Sequence, residues 1–181
     1  MDKKQVADIL DEIGTLLELK GENPFKCRAF HNGSRIVEAL TKDLNELVET
    51  QELRNIKGIG QGLAEKITEL VQTGKSKYYD DLKKSLPAGL LDMIRIQGLG
   101  PKRVKILFDK LKIKTIAQLK EACEKHKLAK LDGFGEKTEE NILKGIELLK
   151  KHVDKHLYPH AREAADRIFE TIKKQKGVIR C

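Results

Sequence analysis

Ile56-Lys57-Gly58-Ile59-Gly60-Gln61-Gly62-Leu63-Ala64-Glu65-Lys66-Ile67 is the stretch on which the fold turns. One apolar residue stands two before the first glycine and another sits between the glycines. Apolar residues at helical spacing follow. The arrangement returns 40 residues later as Ile96-Gln97-Gly98-Leu99-Gly100-Pro101-Lys102-Arg103-Val104-Lys105-Ile106-Leu107. It returns more loosely as Leu131-Asp132-Gly133-Phe134-Gly135-Glu136-Lys137-Thr138-Glu139-Glu140-Asn141-Ile142. A single Gly-x-Gly suits any turn between helices, but two close copies in the same apolar frame define a repeated hairpin.

The rest of the chain reads as helices around these hairpins. Val6, Ile9, Leu10, Ile13, Leu16 and Leu17 predict an amphipathic helix over 3–19, ended by Gly21. Asn23-Pro24 reads as a cap with proline at the first helical position, opening a helix to about Leu40. Leu44, Leu47 and Val48 mark a short third helix. Further helices are expected over 61–73 (stopped by Gly74), 77–85 (ended by Pro87), 90–96 and 102–111. Thr115 is placed to cap a helix through Cys123. Another follows the third hairpin to about His152, and a last one covers 159–175. Only Gly177-Val178-Ile179-Arg180 reads as the start of a strand. The expected fold class is all-α: two small helical domains, each built on a hairpin, plus a C-terminal helix and strand start.

Composition agrees. Of 181 residues, 39% are hydrophobic, 35% charged and only 4% aromatic, with no Trp. That mixture disfavours a membrane protein, a β-sandwich or a disordered chain. No apolar run approaches the length of a membrane span, and the N-terminus leads into an amphipathic pattern rather than a signal peptide. The three cysteines, 27, 123 and 181, fit neither a disulfide framework nor a zinc site, so a cytoplasmic location is expected. The net charge of +8 is uneven. Residues 1–85 hold 14 Lys+Arg against 15 Asp+Glu; residues 86–181 hold 22 against 13. The basic half suits phosphate binding, with a lysine-rich solvated surface as the plainer alternative.

The repeated hairpin resembles the helix–hairpin–helix motif of DNA-binding proteins. Glycines permit positive φ and a close approach of phosphate to the backbone. The helix behind each turn starts with free N–H groups that face an anion. Such a site grips the phosphates of one strand without reading bases. The candidate phosphate contacts are Gly58, Ile59, Gly60 and Gly62 in the first hairpin and Gly98, Leu99 and Gly100 in the second. Lys102, Arg103 and Lys105 follow the second hairpin as duplex contacts. The resemblance also implies a monovalent cation, Na⁺ or K⁺, held by carbonyls of Arg54, Ile56 and Ile59, and likewise of Ile94, Ile96 and Leu99. Around the third turn Asp132, Glu136, Glu139 and Glu140 would repel phosphate, so a packing role stands beside a binding role there.

The order of parts resembles the N-terminal portion of the family X DNA polymerases, of the polymerase beta type, closest to the bacterial and archaeal branch. Asn23-Pro24-Phe25-Lys26-Cys27-Arg28-Ala29-Phe30 matches a stretch typical of that branch. On this resemblance residues 1–85 are a lyase-like domain that binds a 5′-phosphate. Residues 86–150 are the DNA-binding subdomain with the second and third hairpins, and residues 151–181 are the start of a palm. The family's palm carries a Gly-Ser motif and an Asp-x-Asp pair for two Mg²⁺ ions. Here Gly33-Ser34 lies inside a helix and no Asp-x-Asp exists. The chain is therefore expected to be a fragment ending before the catalytic palm, with Mg²⁺ belonging only to that palm. The implied partner is gapped or nicked double-stranded DNA with a 5′-phosphate, bound by a monomer and away from membranes.

The family's lyase removes a 5′-deoxyribose phosphate through a Schiff base. A lysine used this way must lose its proton near neutral pH. The matching position, six residues after the second glycine of the first hairpin, is Lys66; the plainer reading pairs it with Glu65 or Glu69. Two positions depart from the family. Gly62 stands where a phosphate-gripping lysine is expected, and Phe25 where a tyrosine is expected. Lys20, Lys26, Arg28, Arg35 and Lys57 are the remaining candidates for phosphate contact. Alternatives are a stand-alone helix–hairpin–helix module without catalysis, or a helix–hairpin–helix glycosylase using Asp80 or Asp81, for which the larger scaffold is missing. His31, His126, His152, His156 and His160 read as a surface set rather than a metal site.

Overall fold

The computed structural model describes residues 1–149. The described residues are all-α, with no strand among them. The helices are α1 (Lys3–Lys20), α2 (Pro24–Ala39), α3 (Leu44–Glu49), α4 (Gln61–Thr73), α5 (Lys77–Lys84), α6 (Ala88–Ile94), α7 (Pro101–Leu111) and α8 (Ile116–Glu124). A ninth, α9, covers 136–149. The expected helix over 159–175, the strand start at Gly177 and the palm start over 151–181 lie outside the described residues, as do His152, His156 and His160.

Backbone contacts divide the chain into two compact units. The first comprises residues 1–94 and 99–119. Its centre is α1, whose Val6, Leu10, Ile13 and Leu16 are wholly buried. The Asp2 side chain accepts from Gln5 N at 2.7 Å while the Gln5 amide accepts from Asp2 N at 3.1 Å, a reciprocal cap that starts α1. Gly21, at φ +74, ends it. Asn23 accepts from Phe25 N at 2.8 Å and Pro24 opens α2, as the sequence predicted. Two small residues let helices cross closely. A Cβ at Gly14 would stand 2.8 Å from the His31 ring, and one at Gly33 would stand 2.4 Å from Leu63 Cδ2. These contacts fix α2 against α1 and α4, and so set where hairpin 1 lies.

Two local features differ from the sequence reading. Helix α6 starts at Ala88, not Leu90, because the Pro87 carbonyl accepts from Leu90 N at 3.0 Å. Pro87 thus opens a helix as well as closing one; its missing N–H costs nothing in a first turn. A 3₁₀ turn over Glu52–Asn55, entered through Gln51 at φ +58, leads into hairpin 1, a segment to which the sequence reading assigned no element.

The second unit holds residues 95–98 and the described chain from 120 onward. Its core is Ile96, Cys123, Leu128, Phe134, Ile142 and Ile146. Gly145 lets α9 approach residue 96: a Cβ there would lie 2.7 Å from Ile96 Cγ2. Glu139 is only 2% exposed and accepts from Leu128 N and Ala129 N, both at 2.9 Å, with His126 Nδ1 also at 2.9 Å. Its carboxylate therefore ties down the loop before hairpin 3 and does not face a phosphate, unlike the repelling role expected of it from the sequence.

Candidate nucleic-acid interface

The three hairpins begin alike. The first glycine has positive φ in each: +96 at Gly58, +88 at Gly98 and +80 at Gly133. Only glycine holds that region without strain. The apolar residue between the glycines is the anchor; Ile59, Leu99 and Phe134 are each 3% exposed. Ile59 N donates to the Ile56 carbonyl at 3.0 Å, and Phe134 N donates to Leu131 at 3.0 Å. Hydrophobic burial thus pins the middle of each turn and leaves both glycines facing solvent.

The second glycine differs in kind. Gly60 (φ −77, ψ 170) and Gly100 (φ −86, ψ 169) have extended backbone open to any residue. A Cβ added at Gly60, Gly62 or Gly100 would meet nothing within 4 Å. Gly60 and Gly100 are the N-caps of α4 and α7, and neither helix has a side-chain cap. Each helix start is therefore bare backbone carrying the positive end of the helix dipole.

Around hairpin 1, Lys57 is exposed, and Arg54 lies 3.9 Å from Glu65. The α2 face beside Gly58 forms an open groove of about 700 Å³ lined by Phe25, Arg28, Asn32, Arg35, Ile36 and Gly58. The Arg28 guanidinium lies over the Phe25 ring, 4.7 Å from its centroid, while its Nε donates to the Pro24 carbonyl at 3.2 Å. After hairpin 2, Lys102 and Arg103 are exposed. Lys105 is tied to Asp109 at 2.6 Å, and its stem passes Gly21.

Lys66 projects from α4 behind hairpin 1, about one-third exposed. Its Nζ is 3.5 Å from Glu69 Oε2 and 5.3 Å from the Tyr78 ring centroid. Lys26 Nζ stands 5.8 Å from the same ring and 3.6 Å from Glu22. Burial pulls the Lys26 ammonium down, but the Tyr78 phenol and the Glu22 carboxylate outweigh it, so its pKa is raised and it stays charged. Glu69 also accepts from Lys77 N at 3.0 Å and Ser76 Oγ at 3.3 Å. The Lys77 N–H, with the Lys66 ammonium, holds its carboxyl below the usual range. Tyr78 stacks on Phe30 with centroids 6.1 Å apart. The sequence pointed to Lys66 and Lys26 but not to Tyr78 as the ring they share, since no period in the chain links α5 to α2 and α4.

Among the described residues no group of three or more His, Cys, Asp or Glu could hold a metal ion. His31 binds Asp11 at 2.7 Å. No helix among them is long and apolar enough to cross a membrane.

Residues 1–76 match the family described as a helix-hairpin-helix domain, and residues 90–147 match the SAM-like helix-hairpin-helix tandem. Hairpins 2 and 3 fall within that tandem. The chain is 34% identical over 180 residues, 99% of its length, to DNA polymerase/3′-5′ exonuclease PolX of Bacillus subtilis. It spans only 31% of that protein. It is also 35% identical over 101 residues to DNA ligases of two Leptospira interrogans serovars, covering 46% of this chain and 15% of theirs. The resemblance to a portion of a family X DNA polymerase thus holds along nearly the whole chain, and the hairpin domains support DNA binding.

Proposed function

We propose that this chain binds gapped or nicked double-stranded DNA through backbone phosphates, with residues 1–85 at the 5′-phosphate end and residues 86–150 on the duplex. One observation carries the reading. Gly60 and Gly100 are required neither by backbone conformation nor by packing within the chain. Missing side chains there leave the uncapped starts of α4 and α7 open to an external group. That group is an anion, because the first N–H groups of a helix and its dipole favour negative charge. The relatives named above are a DNA polymerase and DNA ligases, which supports a DNA phosphate as the anion.

A monovalent cation suits the same turns. Residues 53–60 contain no carboxylate, so a site there would be built of neutral carbonyl oxygens. Carbonyls of Arg54, Ile56 and Ile59, and of Ile94, Ile96 and Leu99, would hold Na⁺ or K⁺. The bound ion supplies positive charge against a phosphate oxygen. The Ile56 carbonyl accepts from Ile59 N and keeps a second lone pair for the ion.

A second reading assigns Lys66 as the nucleophile of a 5′-deoxyribose phosphate lyase. The observation favouring it is that the Lys26 ammonium stays charged over the ring that Lys66 also touches. Lys26 then offers its charge to a substrate phosphate beside the reacting amine. In the reaction, Nζ adds to the C1′ aldehyde and water leaves to give an imine. Loss of a C2′ proton then expels the 3′-phosphate. The Glu69 pairing must first be displaced.

The test is binding to DNA with a short gap, comparing 5′-phosphate with 5′-hydroxyl on the downstream strand. Tighter binding of the phosphate supports the 5′-end role of residues 1–85. Equal binding reduces the chain to a general duplex-binding module. Borohydride trapping with and without Lys66→Ala decides the lyase reading.

A further inference from the structure

Among the described residues, one buried side-chain polar atom has no hydrogen-bond partner: the hydroxyl oxygen of Tyr78. Burying a phenol unpaired costs free energy that a phenylalanine would not. The fold uses the ring and not the oxygen. The ring stacks on Phe30 of α2, with planes 17° apart, and lies 5.3 Å from Lys66 Nζ and 5.8 Å from Lys26 Nζ. The Lys26 ammonium responds to the phenol but meets it outside hydrogen-bond geometry. Tyr79, next in the chain, shows the contrast: its hydroxyl donates to Glu12 and accepts from Lys83. The place of Tyr78 is nevertheless fixed. Glu69 fastens the start of α5 to α4, accepting from Lys77 N at 3.0 Å and Ser76 Oγ at 3.3 Å. Three helices thus hold an unpaired hydroxyl on the ring that the Lys26 and Lys66 ammonium groups share.

We infer that the Tyr78 hydroxyl is the proton donor and acceptor for the imine chemistry at Lys66. This rests on the lyase reading above and gives it a second catalytic residue. A phenol can both donate and accept, and the reaction needs each in turn. The neutral Lys66 amine adds to the C1′ aldehyde, and a proton passes from nitrogen to the former carbonyl oxygen. That hydroxyl leaves as water only with a second proton, which Tyr78 donates. A protonated imine and a phenolate remain, the phenolate beside the Lys26 ammonium. The phenolate then takes the C2′ proton. The C–H electrons form the C1′–C2′ double bond, and the imine π electrons return to nitrogen. As the nitrogen pushes back, the double bond shifts to C2′–C3′ and the 3′-phosphate leaves. Tyr78 ends as it began. Both ammonium groups stand on partly exposed side chains, so a substrate phosphate that draws Lys26 outward opens the hydroxyl to the reacting sugar.

The test is Tyr78→Phe in the full chain, which removes the oxygen and keeps the stack on Phe30 and both cation–ring contacts. Single-turnover borohydride trapping on gapped duplex with a 5′-deoxyribose phosphate reads the imine, and release of the sugar from the strand reads the elimination. Both rates are expected to fall about a hundredfold, the low end of what one positioned acid or base contributes. Affinity for the same duplex with a plain 5′-phosphate stays unchanged. The melting temperature stays level or rises, because an unpaired buried hydroxyl is gone. A role in packing alone would leave both rates untouched. A Tyr78→Phe chain that reacts as fast as wild type overturns the inference and leaves Lys66 as the nucleophile. A lower melting temperature also overturns it, since the hydroxyl would then serve the fold. Failure of the wild-type chain to be trapped at all overturns the lyase reading, and the inference with it, and leaves the backbone reading intact.

Discussion

Gly58 and Gly60, two residues apart, separate what folding needs from what binding needs. In Gly58→Ala the new Cβ must occupy φ +96 and meets Ile36 Cδ1 at 2.5 Å. The left-handed conformation costs about 1–2 kcal/mol for a residue with a Cβ. The Ile36 tip can rotate away, but it gives up packing. Lower entropy of the unfolded chain returns about 0.4–1 kcal/mol. The net effect is a loss of about 1 kcal/mol, or roughly 4 °C in melting temperature for a unit of just over a hundred residues. In Gly60→Ala the backbone is at φ −77 with nothing within 4 Å, so the entropic gain is set against alanine's lower preference for the N-cap and the melt stays close to that of wild type. Binding moves the other way. The Gly60 methyl stands where a phosphate would approach and removes a charge-assisted hydrogen bond worth about 1.5–3 kcal/mol. That is a loss of roughly tenfold or more in affinity. Far-UV circular dichroism melts and anisotropy of a labelled duplex at fixed salt measure both quantities. A Gly60→Ala chain that melts well below wild type, or binds DNA as tightly as wild type, would show that this position serves folding rather than binding.

Four further outcomes follow from named contacts. Glu139→Ala strands the Leu128 and Ala129 N–H groups and should cost about 3 kcal/mol, with Glu139→Gln costing less; faster amide exchange at those two residues reports it. Burial, with Glu139 nearby, pushes the Cys123 thiol up to about 11, and burial beside Glu18 raises Cys27, so both should resist thiol reagents at pH 8 in the folded chain. Because the Cys123 pKa is raised on folding, its contribution is complete below 9.0 and fades as pH climbs toward about 11. Denaturation midpoints across that window should fall less steeply in Cys123→Ala. Glu69→Gln removes the carboxylate partner of Lys66, so borohydride trapping of a 5′-deoxyribose phosphate substrate should speed up, while Lys66→Ala should show none.

Much of the fold was legible because its signals are local. The α1 stripe, the Asn23-Pro24 cap and the stops at Gly21 and Gly74 each depend on neighbours within one or two turns. The hairpins were legible for the same reason, down to the buried residue between the glycines. Phe25, Arg28, Asn32, Arg35 and Ile36 also share one face of α2 at helical spacing, so their common groove was within reach of periodicity. Other features come from long-range packing, which no local pattern reports. Tyr78 joins Lys26 and Lys66 only because α5 packs near both α2 and α4. Glu139 was read as one of four acids around the third turn that would repel phosphate; instead it satisfies two N–H groups ten and eleven residues away in the chain. The distinct tasks of the paired glycines were also hidden, because sequence shows the residue and not its φ.

Bare helix starts that grip backbone phosphates bind without reading bases. The most direct test is the affinity of the chain for two duplexes of equal length and scrambled sequence across a salt series. Both duplexes are expected to fall on one line of log K against log salt, with a slope of about −0.9 for each phosphate held, and on a shallower line when Gly60→Ala and Gly100→Ala are combined. A flat salt response, or affinities that separate by sequence, would contradict this mode of binding.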